Sequence, residues 1–147
     1  MSPGLRVTAA CERHGADVVV RACLDLLTGR DSEPDIVEAL GGDHARQVLA
    51  QGVPEVHAYW LRVWGARGLL YAWHAAPGAD VDVDVDGTLA AATTDPHWRV
   101  REMVCKVVAT RLRGDVLEAV LPLRDDPVER VRRAAGRAVV RVTAAGS

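Results

Sequence analysis

Four arginines near the end of the chain, Arg130, Arg133, Arg137 and Arg141, recur at spacings of three, four and four. On a helix turning about 100° per residue they fall in one narrow stripe, a row of cations suited to phosphates or carboxylates. The row 31 residues earlier reads Arg99, Glu102, Lys106 and Thr110. Aligning Pro54 with Pro96 gives a third row, His57, Trp60, Trp64 and Gly68, with Tyr71 one turn further. Rings followed by guanidinium groups could stack on and neutralise a single-stranded or distorted nucleic acid, or grip an acidic peptide. The competing reading is plain packing: large aromatics are commonly core residues, and a charge stripe is commonly a solvated face balanced by Glu102, Asp126 and Glu129.

Other chemistry is sparser. Glu102 is the one carboxylate in the three rows, and Arg99 at i−3 and Lys106 at i+4 are placed to hold it as an ordinary ion pair. Asp82-x-Asp84-x-Asp86-Gly87 imitates the first half of a calcium loop, but the twelfth position is Thr93 where the cage needs a bidentate Glu. Valines between these acids favour a linker. His57, His74 and His97 lack metal-ligand spacing, and the chain holds no Ser/His/Asp arrangement, phosphate-binding glycine loop or Cys-x-x-Cys. The expectation is a chain without cofactor, metal or catalytic residue.

The elements that must position these side chains repeat. Asp95-Pro96-His97-Trp98-Arg99-Val100-Arg101, running on to Val107-Val108, returns as Asp126-Pro127-Val128-Glu129-Arg130-Val131-Arg132, running on to Val139-Val140. A fixed period of this size marks stacked helical units. Asp95 and Asp126 are expected to cap helix amides, with the prolines at the first helical position and Val100, Val104, Val108, Val131, Ala135 and Val139 forming the apolar stripe. Earlier helices are expected at 5–14, 16–28 and 34–40, at 44–51 with Asp43 as N-cap, and over 55–74. Gly65 and Gly68 in that last segment point to close helix packing. Residues 75–86, where Val and Asp alternate, read as an acidic linker. Helices then follow from 88 to about 94, from the first Asp-Pro to about 112, over 115–124, and from the second Asp-Pro to about 143.

With 147 residues, about half apolar and a quarter charged, the chain has enough material for one globular domain. No apolar run approaches membrane-spanning length, and no leader is evident, so a cytoplasmic protein that does not touch membranes is expected. Cys11, Cys23 and Cys105 sit in apolar helical patterns and read as buried thiols. The lack of Phe and Asn, a single Lys and heavy use of Ala, Val and Arg suggest a bacterium with a GC-rich genome. The net charge of −2 divides into −7 over residues 1–95 and +5 over 96–147, a dipole that would favour salt-sensitive self-association, basic end to acidic end.

The unit Asp-Pro-x-x-x-Val-Arg followed by small apolar positions resembles the second helix of a HEAT-like repeat, and residues 95–103 are similar to small bacterial HEAT-repeat proteins. The resemblance implies an all-α fold, a right-handed α-solenoid of HEAT-like helical hairpins whose second helices line a concave face. It would make residues 1–147 one repeat domain, with clear repeats over 87–143, a degenerate repeat over 44–74, a helical cap over 5–40 and the linker over 75–86. It further implies a non-enzymatic scaffold that recognises a protein partner through His57, Trp60, Trp64, Tyr71, Arg99, Lys106, Arg130, Arg133, Arg137 and Arg141. The alternative it offers is nucleic-acid binding, since HEAT-like alkylpurine DNA glycosylases carry aromatic residues and an acid, here Glu102, on the same face.

Overall fold

A computed structural model describes residues 1–52, 57–74 and 79–146, and these are helical without a strand. They divide into two compact units, Met1–Pro77 and Gly78–Ser147. No helix among the described residues is long and apolar enough to cross a membrane.

The first unit contains α1 (Pro3–His14), α2 (Ala16–Leu27), α3 (Pro34–Gly41), α4 (Asp43–Gln51) and α5 (Tyr59–Gly68). Ser2 caps α1 by accepting the Leu5 amide at 3.3 Å, with Pro3 in the first turn where no amide donor is needed. Gly15, at φ 91°, supplies the sharp break into α2. Asp43 is not the cap expected for α4: Gly42, at φ 68°, occupies that position and Asp43 lies in the first turn. The helix expected over 55–74 is shorter, since α5 spans Tyr59–Gly68 and the chain turns at 69–71; residues 53–56 lie outside the described residues.

The α5 glycines are explained by contact with α2 and α3. A Cβ at Gly65 would lie 2.6 Å from the Cys23 carbonyl oxygen, and one at Gly68 would lie 2.5 Å from the Cys23 thiol and 2.7 Å from a Leu40 methyl. Glycine therefore lets α5 settle onto the apolar face of α2, where Val19, Val20, Cys23, Leu26 and Leu27 are buried.

The second unit contains α6 (Ala79–Ala92), α7 (Trp98–Arg111), α8 (Leu117–Val120) and α9 (Glu129–Ala145), with 3-10 turns at Gly114–Val116 and Leu121–Asp125 around α8. Residues 79–86 are thus helical where an acidic linker was expected, and the helix runs on through Gly87 into the segment expected to begin there. The alternation concealed helical spacing: Val85 and Leu89, four apart, are buried, and Asp82 and Asp86, four apart, meet Arg113. Pro122 breaks the helix expected over 115–124 into short pieces. Packing of α7 against α6 and α9 buries Val100, Val104, Val108, Val131, Ala135 and Ala138.

The two Asp-Pro segments share one local geometry, which differs from the expected cap. Asp95 Oδ1 accepts the His97 amide and Asp126 Oδ1 accepts the Val128 amide, both at 2.9 Å. Each Asp-Pro is therefore an Asx turn ahead of its helix, and His97 and Val128 hold the cap positions. Arg101 Nη1 donates to the Asp95 carbonyl and Arg132 Nη1 to the Asp126 carbonyl, again at one distance, 2.8 Å. The repeated Arg is thus part of the turn. Arg101 also reaches the second copy, giving Nε and Nη2 to the two carboxylate oxygens of Asp126 at 2.8 and 3.2 Å.

Candidate functional site

The candidate site lies on α7 and α9, which pack against each other and bring Arg130 to Glu102, 28 positions apart, and to Trp98. Glu102 is buried at its centre. Arg130 grips it from α9 with two hydrogen bonds, Nε to Oε2 at 2.9 Å and Nη2 to Oε1 at 3.2 Å, and Lys106 Nζ stands 3.9 Å from Oε1. The principal partner is therefore Arg130 from the next segment, where local spacing pointed to Arg99. A planar guanidinium satisfies both oxygens of a carboxylate, which an ammonium cannot.

Arg99 turns instead to Trp98. Its guanidinium carbon sits 4.6 Å from the ring centroid, and that of Arg130 sits 5.0 Å from it. Cation–π attraction thus ties the first turn of α7 to the first turn of α9. His97 packs against the same ring at 6.1 Å, nearly parallel. Trp98 was not among the expected site residues. The available signal was its position one turn before Glu102, with Arg99 beside it.

Beyond this cluster the stripe opens to solvent. Arg133 pairs with Glu129 at 3.0 Å, both side chains well exposed. Arg137 and Arg141 are exposed, and among the described residues neither has an ion-pair or hydrogen-bond partner. Of the expected cationic row, then, Arg130 is committed to Glu102 while Arg137 and Arg141 are available.

The aromatic row belongs to the other unit. Trp64 is 2% exposed, and a Cβ at Gly41 would fall 2.7 Å from its ring, so it is a core residue seated on backbone rather than a binding residue. Trp60 is half-buried and lies nearly parallel to Trp64 at 6.5 Å, and His44 meets both rings edge-on at 5.3 and 5.2 Å. His57 is exposed, and Tyr71, 44% exposed, lays its ring 3.3 Å from where a Gly4 Cβ would be. Alignment on Pro54 placed positions 64 and 68 on an open stripe, whereas α2 and α3 cover them.

The same unit has a cleft of about 350 Å³ among α1, α3 and α4, with Arg6, Arg13, Arg46, Asp35 and Glu38 in its walls. Its charges are mutually satisfied: Arg13 and His14 meet Asp35 at 3.5 and 2.6 Å, and Arg46 meets Glu38 at 2.7 Å. Arg6 donates to the Ala39 and Met1 carbonyls.

The charge division can be placed on the two units. Met1–Pro77 carries seven arginines against nine acids, and Gly78–Ser147 carries eleven bases against eleven acids. The contrast lies inside the second unit, where α6 has four aspartates and no base while α9 has five arginines and one acid. Asp82 and Asp86 of α6 face Arg113, which gives Nε and Nη2 to the Asp86 oxygens at 2.9 Å. Burial of Cys105, with the charges of Asp126 and Glu102 nearby, pushes its thiol up to about 12. A thiol so held is inert as a nucleophile.

No family model, curated protein or solved structure matches the chain.

Proposed function

We propose that the chain is a HEAT-like repeat module, built as a right-handed α-solenoid, that binds a protein partner without catalysis. The observation carrying this reading is the pair Arg137 and Arg141: exposed cations on a rigid helix whose base is anchored by Trp98 and the Glu102–Arg130 pair. A row of guanidinium groups presented on one helix face can grip carboxylates on a partner through bidentate hydrogen bonds. Free cysteines suit a cytoplasmic, reducing setting and, with the composition, a bacterial source. Salt-sensitive self-association through the acidic and basic helices of the second unit belongs to the same proposal.

The glycosylase-like reading is weakened by Glu102. An acid clamped by Arg130 and backed by Lys106 has its oxygens occupied and its charge neutralised, which is the geometry of a structural ion pair. Nucleic-acid binding without catalysis stays as the second reading, favoured by the guanidinium groups over Trp98. The test measures retention of single-stranded and duplex DNA against salt. Binding that falls steeply with salt and disappears in Arg137→Glu with Arg141→Glu supports the nucleic-acid reading, and no retention at low salt eliminates it.

A further inference from the structure

The face of α9 that carries Gly136 and Val140 is open among the described residues. Because the two Asp-Pro segments share their hydrogen-bond geometry, adding 31 maps Cys105 onto Gly136 and Ala109 onto Val140. On α7 these positions are 0% and 5% exposed. On α9, Val140 is 68% exposed and a Cβ at Gly136 would meet nothing within 4 Å. The same helix face is covered in the first copy and open in the second.

The arginines repeat this asymmetry. Arg101 gives Nη1 to its own turn carbonyl and spends Nε and Nη2 on the Asp126 carboxylate, which opens the segment leading into α9. Arg132 gives Nη1 to the carbonyls of Asp126 and Pro127 at 2.8 and 3.2 Å. Among the described residues no carboxylate meets its remaining nitrogens. One segment earlier α7 packs against α9, whose buried Val131, Ala135 and Ala138 follow the Asp126 that Arg101 holds, and this supplies the pattern for an occupant of the open face.

We propose that the outer face of α9, centred on Val140 and Gly136 and keyed by Arg132, docks a helix of a protein partner that is acidic, amphipathic and opened by an aspartate. The occupant is acidic because Arg132 and Arg133 stand one turn before Gly136 on α9, so a second α9 laid on this face would set like charges together. The surface does not use Arg137 or Arg141, so its failure and failure of the stripe reading are separable.

The probe is a fluorescent, end-capped peptide spanning 126–145 with Arg130→Glu, Arg133→Glu, Arg137→Glu and Arg141→Glu, titrated with the intact protein. Saturable binding is expected. Asp126→Ala in the peptide or Arg132→Ala in the protein should each weaken it about tenfold, as loss of a close charge pair does, and the two together no further than either alone. Val140→Asp should abolish binding without altering the melting curve, because Val140 is exposed. Absence of saturation at millimolar peptide, or equal affinity after Asp126→Ala, overturns the proposal. So does self-association of the protein that Val140→Asp removes, which would assign the face to a second copy.

Discussion

Arg101 and Asp126, 25 residues apart, form a bidentate ion pair at 2.8 and 3.2 Å that joins the first Asp-Pro segment to the second. Both partners have further obligations, Arg101 to the Asp95 carbonyl and Asp126 to the Val128 amide. Each side chain thus shapes one turn and binds another, which places α7 and α9 in register. That register brings Arg130 over Glu102 and Trp98.

Asp126→Ala leaves Arg101 half-buried without its carboxylate and removes the acceptor for the Val128 amide. Breaking one side of a buried pair costs about 3–5 kcal/mol. Urea unfolding should show the midpoint falling with little change in slope. A variant within about 0.5 kcal/mol of the wild type, the range of an ordinary surface substitution, would contradict the role given to this pair.

Acid should test the same bond. Burial pushes the Asp126 carboxyl up, but hydrogen bonds from Arg101 and the Val128 amide, with the charges of Arg101 and Arg132, outweigh it and hold the carboxyl below its ordinary value. A depressed native pKa contributes stability that is complete above the unfolded value of about 3.9 and is lost as pH falls through the native one. Unfolding measured between pH 6 and pH 2 should therefore steepen below about 4, and Asp126→Asn should flatten that limb. An unchanged limb in the variant would contradict this assignment.

Two helical glycines should respond in opposite directions to alanine. A Cβ at Gly65 lands 2.6 Å from a backbone oxygen, so Gly65→Ala must push α5 off α2 and should cost about 1–3 kcal/mol. Gly136 has open space at that position, so Gly136→Ala should gain about 0.5–1 kcal/mol from helix propensity. Thermal melts of the two variants provide the check, and a loss at Gly136 would contradict the open face of α9.

The sequence showed the helices wherever period, glycine and proline agreed, as at α1, α2 and α3. It misplaced α6 because Val-Asp alternation satisfies a two-residue period by eye while Val85 and Leu89 satisfy a four-residue one in space. The basic stripe of α9 was readable because four arginines on one helix share a face whatever surrounds them. Trp64 was not, because its burial depends on Gly41 and on the neighbours of α5, which no local spacing reveals. Long-range pairing decided the remaining cases: Arg130, though exposed, is committed to Glu102, and the repeated Arg proved to be part of each turn.

The most direct test of the account compares capture of protein partners from native lysate by the wild type and by Arg137→Glu with Arg141→Glu, each with and without excess single-stranded DNA. Both side chains are exposed, so the unfolding midpoint of the variant should match that of the wild type. The account predicts that a defined protein partner is retained by the wild type, survives the DNA competitor and is lost from the variant. Equal capture by the variant, or a partner displaced by DNA alone, would contradict it.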